Sequence, residues 1–150
     1  MMLYECGIRY ERTMPNGMSK KVTELYLVDA CSFAEAEGRI TKEMEPYISG
    51  DFDVVTIKRT NYSEIVENGA DSADKWFKAK LMFVTCDEKT AKEKKQAVYF
   101  IVKASDINNA HTVVVQHMKT SFVDYEIATL DETKIMDLFR YMVNTTSSNG

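Results

Sequence analysis

The strongest constraint on what this chain can fold into is that it repeats itself. Tyr4, Cys6, Ile8 and Tyr10 alternate with Glu5, Gly7, Arg9 and Glu11, and Phe77, Ala79, Leu81 and Phe83 alternate in the same way with Lys78, Lys80 and Met82. Such period-two alternation is the pattern of a half-buried strand. The match continues in register. Lys20-Lys21 falls on Lys94-Lys95, Tyr26-Leu27-Val28 on Phe100-Ile101-Val102, Ser32 on Asp106, Ala36 on Ala110, Phe52-Asp53-Val54 on Tyr125-Glu126-Ile127, and Glu64-Ile65 on Asp137-Leu138. Tyr4 to Phe77 is 73 residues and Tyr26 to Phe100 is 74. A fixed period of this length is the signature of a duplicated supersecondary unit.

Each copy reads as strand, strand, helix, strand. Pro15-Asn16-Gly17 supplies the first hairpin turn, because Asn-Gly readily takes positive φ. Ser32 followed by Glu35 has the capping-box spacing, and Phe33, Ala36, Ile40, Met44 and Tyr47 then fall on one helical face that Pro46 and Gly50 bring to an end. The expected fold class is α+β: two tandem ββαβ repeats, residues 3–66 and 76–139, with antiparallel sheets packed as one pseudo-two-fold domain over residues 1–140. Neither copy is large enough to support a core easily by itself. A polar tail follows over residues 141–150.

Composition narrows the classes of function. With 19 Lys+Arg against 23 Asp+Glu the net charge of the 150-residue chain is −4, which argues against long nucleic acid as a partner. Hydrophobic residues at 45% and charged residues at 28% are those of a globular chain, not a disordered one. The longest apolar runs, such as Ala97 to Val102, are too short to span a bilayer, and Met1 to Glu5 shows no secretory leader, so a cytoplasmic location without membrane partners is expected. Cys6, Cys31 and Cys86 are odd in number, widely spaced and set in apolar stretches, which suggests reduced structural thiols. No C-x-x-C occurs, and His111 and His117 are off a common helical face, so no metal or other cofactor is expected.

Catalytic constellations are absent: there is no Gly-rich phosphate loop, no G-x-S-x-G and no H-E-x-x-H. The two histidines read as helix-surface residues, and Glu64 and Asp137 as equivalent helix-surface carboxylates that symmetric packing could bring together. The chain is therefore expected not to be an enzyme. Its basic and aromatic residues are more suggestive. Trp76, Lys78 and Lys80 share the strand face opposite Phe77, Ala79 and Leu81, and Arg59 and Tyr62 close the third strand of the first copy. An aromatic plane beside ammonium and guanidinium groups can stack a base and hold a phosphate. The expected ligand-binding residues are Arg59, Tyr62, Trp76, Lys78 and Lys80. The Lys-rich loop Lys89 to Lys95 reads as a solvated hairpin tip.

Several segments resemble a family of uncharacterised proteins: Lys20 to Ala30, Ser32 to Glu37, Pro46 to Gly50, Tyr62 to Ile65, Trp76 to Lys78, and Asp87 to Lys89. The family is a domain of unknown function found in gut anaerobes of the Bacteroides type and in their phages, and the resemblance covers nearly the whole chain. It implies a small cytoplasmic protein of phage or mobile-element origin and transfers no catalytic residue. In general character it looks similar to phage sponge proteins that sequester cyclic nucleotides. The function expected is therefore non-enzymatic capture of a small anionic ligand, a cyclic nucleotide immune signal being the named case, by a homo-oligomer. The alternative is a structural or adaptor protein acting through protein–protein contacts.

Overall fold

Alternating apolar side chains make β1 (Leu3–Thr13) a strand whose Tyr4, Cys6 and Ile8 enter a core, and β1 pairs antiparallel with β2 (Ser19–Asp29). The computed structural model describes residues 1–141; of the expected polar tail, residues 142–150 lie outside the described residues. At the hairpin tip the Gly17 amide donates to the Met14 carbonyl at 2.9 Å, and Asn16 Oδ1 accepts from the Met18 amide at 3.0 Å. Of the turn residues only Gly17 has positive φ (+84°), so the loop uses one left-handed residue and Asn16 serves through its side chain.

Helix α1 (Phe33–Met44) starts where Ser32 Oγ accepts from the Glu35 amide at 3.1 Å, while Glu35 Oε1 reaches back to the Cys31 amide at 2.9 Å. Its buried side is Ala36, Ile40 and Met44. Tyr47, placed on that face by periodicity, lies beyond the helix end and is 75% exposed; Ile48, one residue on, takes the buried place. The chain continues as β3 (Phe52–Arg59), antiparallel to β1, and β4 (Tyr62–Val66). A second series follows: β5 (Lys75–Cys86), β6 (Glu93–Ala104), α2 (Ile107–Met118) with Asp106 Oδ1 capping the Asn109 amide at 2.7 Å, β7 (Asp124–Glu132) and β8 (Ile135–Phe139).

The fold is thus α+β, with two helices and two four-stranded sheets of order β3-β1-β2-β8 and β4-β6-β5-β7. It divides into two compact units, Met1–Thr60 with the residues from Met136 onward, and Asn61–Ile135. β4 follows β3 in the chain yet joins the sheet of β5–β7, and β8 joins the sheet of β1–β3. The expectation of wholly antiparallel sheets is corrected. β4 pairs parallel with β6, because it lies beside the second arm of the β5–β6 hairpin and not the first. Glu64 and Asp137, expected on helix surfaces, are on strands β4 and β8 of different sheets.

Unit 1 packs Tyr4, Cys6, Ile8, Tyr26 and Val28 against Ala36, Ile40 and Met44 of α1. Unit 2 packs Phe77, Ala79, Leu81, Phe100 and Val102 against Ala110, Val113, Val114 and Met118 of α2. In unit 1 the Arg39 guanidinium donates to the Asp29 carbonyl and, at 2.9 Å, to the Arg140 carbonyl, and lies 4.2 Å from the Tyr141 ring centre, tying the chain beyond β8 to α1. No helix among the described residues is long and apolar enough to cross a membrane.

Opposite Gly7 the β3 strand carries one additional residue, because Gly7 pairs with Thr56 but Ile8 with Val54. Val55 and Thr56 both crowd the side where Gly7 lacks a Cβ, and an added methyl meets Thr56 Oγ1 in overlap. Gly7→Ala is expected to destabilise the protein by about 1–3 kcal/mol, by overpacking on a strand held from both sides. Urea unfolding measures this; an unchanged midpoint would show that the bulge yields without cost.

Candidate functional site

On β5, residues facing away from α2 alternate as Trp76, Lys78 and Lys80, and their cross-strand partners on β6 are Lys103, Ile101 and Tyr99. This face therefore presents ammonium groups beside aromatic rings. Lys78 Nζ lies 4.9 Å from the Tyr99 ring centre and 6.0 Å from that of Tyr62 on β4. Both distances are within cation–π range. Lys78, Lys80, Tyr62 and Tyr99 are half-buried. Neither Lys78 nor Lys80 comes within 4.0 Å of a carboxylate oxygen among the described residues, although Asp131 of β7 is in register with Lys78. Among the described residues neither ammonium group is already paired with a carboxylate, so an anion arriving at this face would meet two cations not engaged in an ion pair.

The five residues singled out in the sequence meet different fates. Tyr62 and Lys78 are brought together, and Lys80 follows on the same strand face. Trp76 is on that face but only 3% exposed, with Lys103 Nζ 5.5 Å from its ring centre. Its plane is covered and not open to a stacked base. Arg59 belongs to unit 1, where its guanidinium lies 5.8 Å from the centre of the Phe33 ring. Tyr99 was not singled out. Its signal was present, since it stands opposite Lys80 once the β5–β6 hairpin is in register, but only the register shows it.

A second pairing also escaped the sequence. His117 Nε2 of α2 lies 3.0 Å from Glu64 Oε1 of β4, and the imidazole packs edge-on to Phe100 at 5.7 Å. Periodicity showed no carboxylate near this histidine because the carboxylate arrives with β4, from 53 residues upstream. The pair links the outer strand of the sheet to its helix. Among the described residues no group of three or more His, Cys, Asp or Glu is placed to hold a metal ion.

The thiols divide by burial. Cys6 is buried and its pKa is pushed up to about 12, first by desolvation and then by the charge of Glu5, so it stays protonated and unreactive. Cys31 and Cys86 are exposed, which corrects the expectation that all three are buried structural thiols. Also in unit 1, Tyr10 and Tyr26 both donate to Glu24 Oε1, at 2.9 and 3.1 Å, and burial together with that carboxylate raises both phenol pKa values. A cleft of about 520 Å³ opens nearby, lined by charges of both signs, among them Arg9, Lys21, Glu11 and Asp51.

Compared with known proteins, residues 2–141 match a family model described as Domain of unknown function (DUF4494). Comparison with curated proteins and with solved structures returns no match.

Proposed function

The chain belongs to the family Domain of unknown function (DUF4494), and for this member of it we propose a non-enzymatic role, the capture of a small anionic ligand on the β5–β6 face of unit 2. The observation that carries this reading is the pair Lys78 and Lys80 on one strand face, neither within 4.0 Å of a carboxylate oxygen among the described residues, with the Lys78 ammonium set against Tyr62 and Tyr99. The two ammonium groups favour a compact anion such as a phosphate, with Tyr62 and Tyr99 orienting Lys78 through its contacts to their rings. Trp76, buried beside Lys103, is not a stacking platform in this reading. A phosphorylated ligand is the class that fits, and cyclic di- or trinucleotides of the kind used as immune signals are its first members to test. The same reading includes a tandem duplication of one ββαβ unit, a homo-oligomer, and a cytoplasmic setting in a phage or mobile element.

The test is thermal unfolding with a panel of cyclic nucleotides, mononucleotides and inorganic phosphate. A ligand at about one hundred times its Kd stabilises the folded state by about 2.7 kcal/mol. For a chain of this length that is a rise in Tm of roughly 5–10 °C. Lys78→Glu should abolish the rise while leaving the unliganded Tm close to that of the parent. A panel that moves Tm nowhere sinks the proposal.

A further inference from the structure

Strand β3 is one of the two outer strands of its sheet, with β8, and it has an unusual internal symmetry. Because Val55 is additional relative to β1, side-chain alternation reverses at the Val55–Thr56 peptide. Phe52, Val54 and Ile57 pack with the core under α1, and Arg59 reaches Phe33 at the start of that helix. On the other face, Asp53 stands opposite Arg9, Lys58 pairs with Glu5 at 3.8 Å, and Val55 and Thr56 crowd Gly7. Read from either end, the facing pattern of residues 52–59 is therefore the same.

The backbone follows the same symmetry. β1 turns its even-numbered residues towards β2, as in the Ala30 amide donating to the Met2 carbonyl, and its odd-numbered residues towards β3, as in the Thr60 amide donating to the Leu3 carbonyl. Alternation then leaves the amide and carbonyl groups of Arg59 and Ile57 directed outward and, beyond the additional residue, those of Val54 and Phe52.

From this we propose that β3 is the seam of a two-fold homodimer, in which β3 strands of two copies pair antiparallel about the Val55–Thr56 peptide. The alignment sets Phe52 opposite Arg59, Asp53 opposite Lys58, Val54 opposite Ile57 and Val55 opposite Thr56, each twice. Outward backbone groups meet outward backbone groups, an aromatic ring meets a guanidinium, and carboxylate meets ammonium. Beside Phe52 and Val54 a cleft of about 380 Å³, lined also by Glu37, Glu45 and Asp51, offers carboxylates to the arriving Arg59. Strand β7, which with β4 forms the two outer strands of the other sheet, has the same additional residue, Ala128, since Lys80 pairs with Thr129 and Leu81 with Ile127. There the equivalent alignment sets Glu126 against Asp131, and like charges repel. Pairing β3 with β7 sets Asp53 against Asp131 but Lys58 against Glu126, one repulsive pair and one attractive, where β3 with β3 gains two attractive pairs. Charge thus selects β3 with β3, an isologous contact that closes on itself and does not run on as a fibre.

This inference rests on the self-association in the proposed function and names its surface; it is independent of the ligand. Sedimentation velocity of the full chain across micromolar concentrations should show a monomer–dimer equilibrium. Asp53→Lys, which makes both charged pairs repulsive, should weaken the dimer about tenfold or more. The double variant Asp53→Lys with Lys58→Asp should restore it, with circular dichroism confirming that both variants fold. A parent that stays monomeric overturns self-association and seam together. A dimer indifferent to Asp53→Lys, or one not restored by the double variant, overturns the seam alone.

Discussion

Replacing Phe100 by alanine is expected to remove about 3–5 kcal/mol of stability, more than any other substitution considered for this chain. Phe100 is fully buried at the middle of β6, between the helix-facing residues Ala79 and Leu81 of β5 and the buried side of α2. Its ring meets Phe83 edge-on at 6.4 Å and the His117 imidazole at 5.7 Å. Truncation removes the transfer free energy of the ring and leaves a cavity that two packed layers cannot close. It also takes away the surface on which His117 rests, so the His117–Glu64 contact that fastens β4 to α2 loosens with it. Against a domain stability of roughly 5–15 kcal/mol, such a loss is a large fraction of the whole. Urea unfolding followed by circular dichroism gives the number, and a loss below about 1 kcal/mol would show that the α2 layer is not the cooperative core of unit 2.

The elements of the fold were legible where local chemistry decides them. The strands carrying Tyr4 to Tyr10 and Phe77 to Phe83 were visible as alternation, and the helix starts as Ser32 and Asp106 with a hydrogen-bonding residue three places on. What was not legible was that β4 and β8 are strands at all, and which sheet each joins. Tyr62–Val66 and Ile135–Phe139 are five residues each, too short for periodicity to separate strand from helix, and their partners are set by long-range pairing. Two placements near the candidate site follow from that. Glu64 looked like a solvated carboxylate until β4 brought it to His117, and Tyr62 looked adjacent to Arg59 although the chain passes from one compact unit to the other between them. Trp76 was assigned to the correct face, but alternation reports only the side of a strand, not the depth at which a residue lies along it.

The two units differ at one core position in a way that predicts a gain of stability. Tyr4 in unit 1 stands where Phe77 stands in unit 2, and both are fully buried on β-strands beneath a helix. The Tyr4 ring is well placed, edge-on to Phe33 at 5.0 Å, but its hydroxyl is buried and no hydrogen-bonding group of the described residues reaches it. A buried hydroxyl without a partner costs about 1–3 kcal/mol, because the water it bonds in the unfolded chain is lost without replacement. Tyr4→Phe keeps the ring, its packing and its strand alternation while removing that penalty. The variant should therefore be more stable by about 1–3 kcal/mol, a rise in Tm of roughly 2–12 °C at this chain length. Calorimetry of the two proteins side by side decides it. A fall in Tm would mean that the Tyr4 hydroxyl is bonded in solution and that unit 1, unlike unit 2, uses a polar group to fix its core.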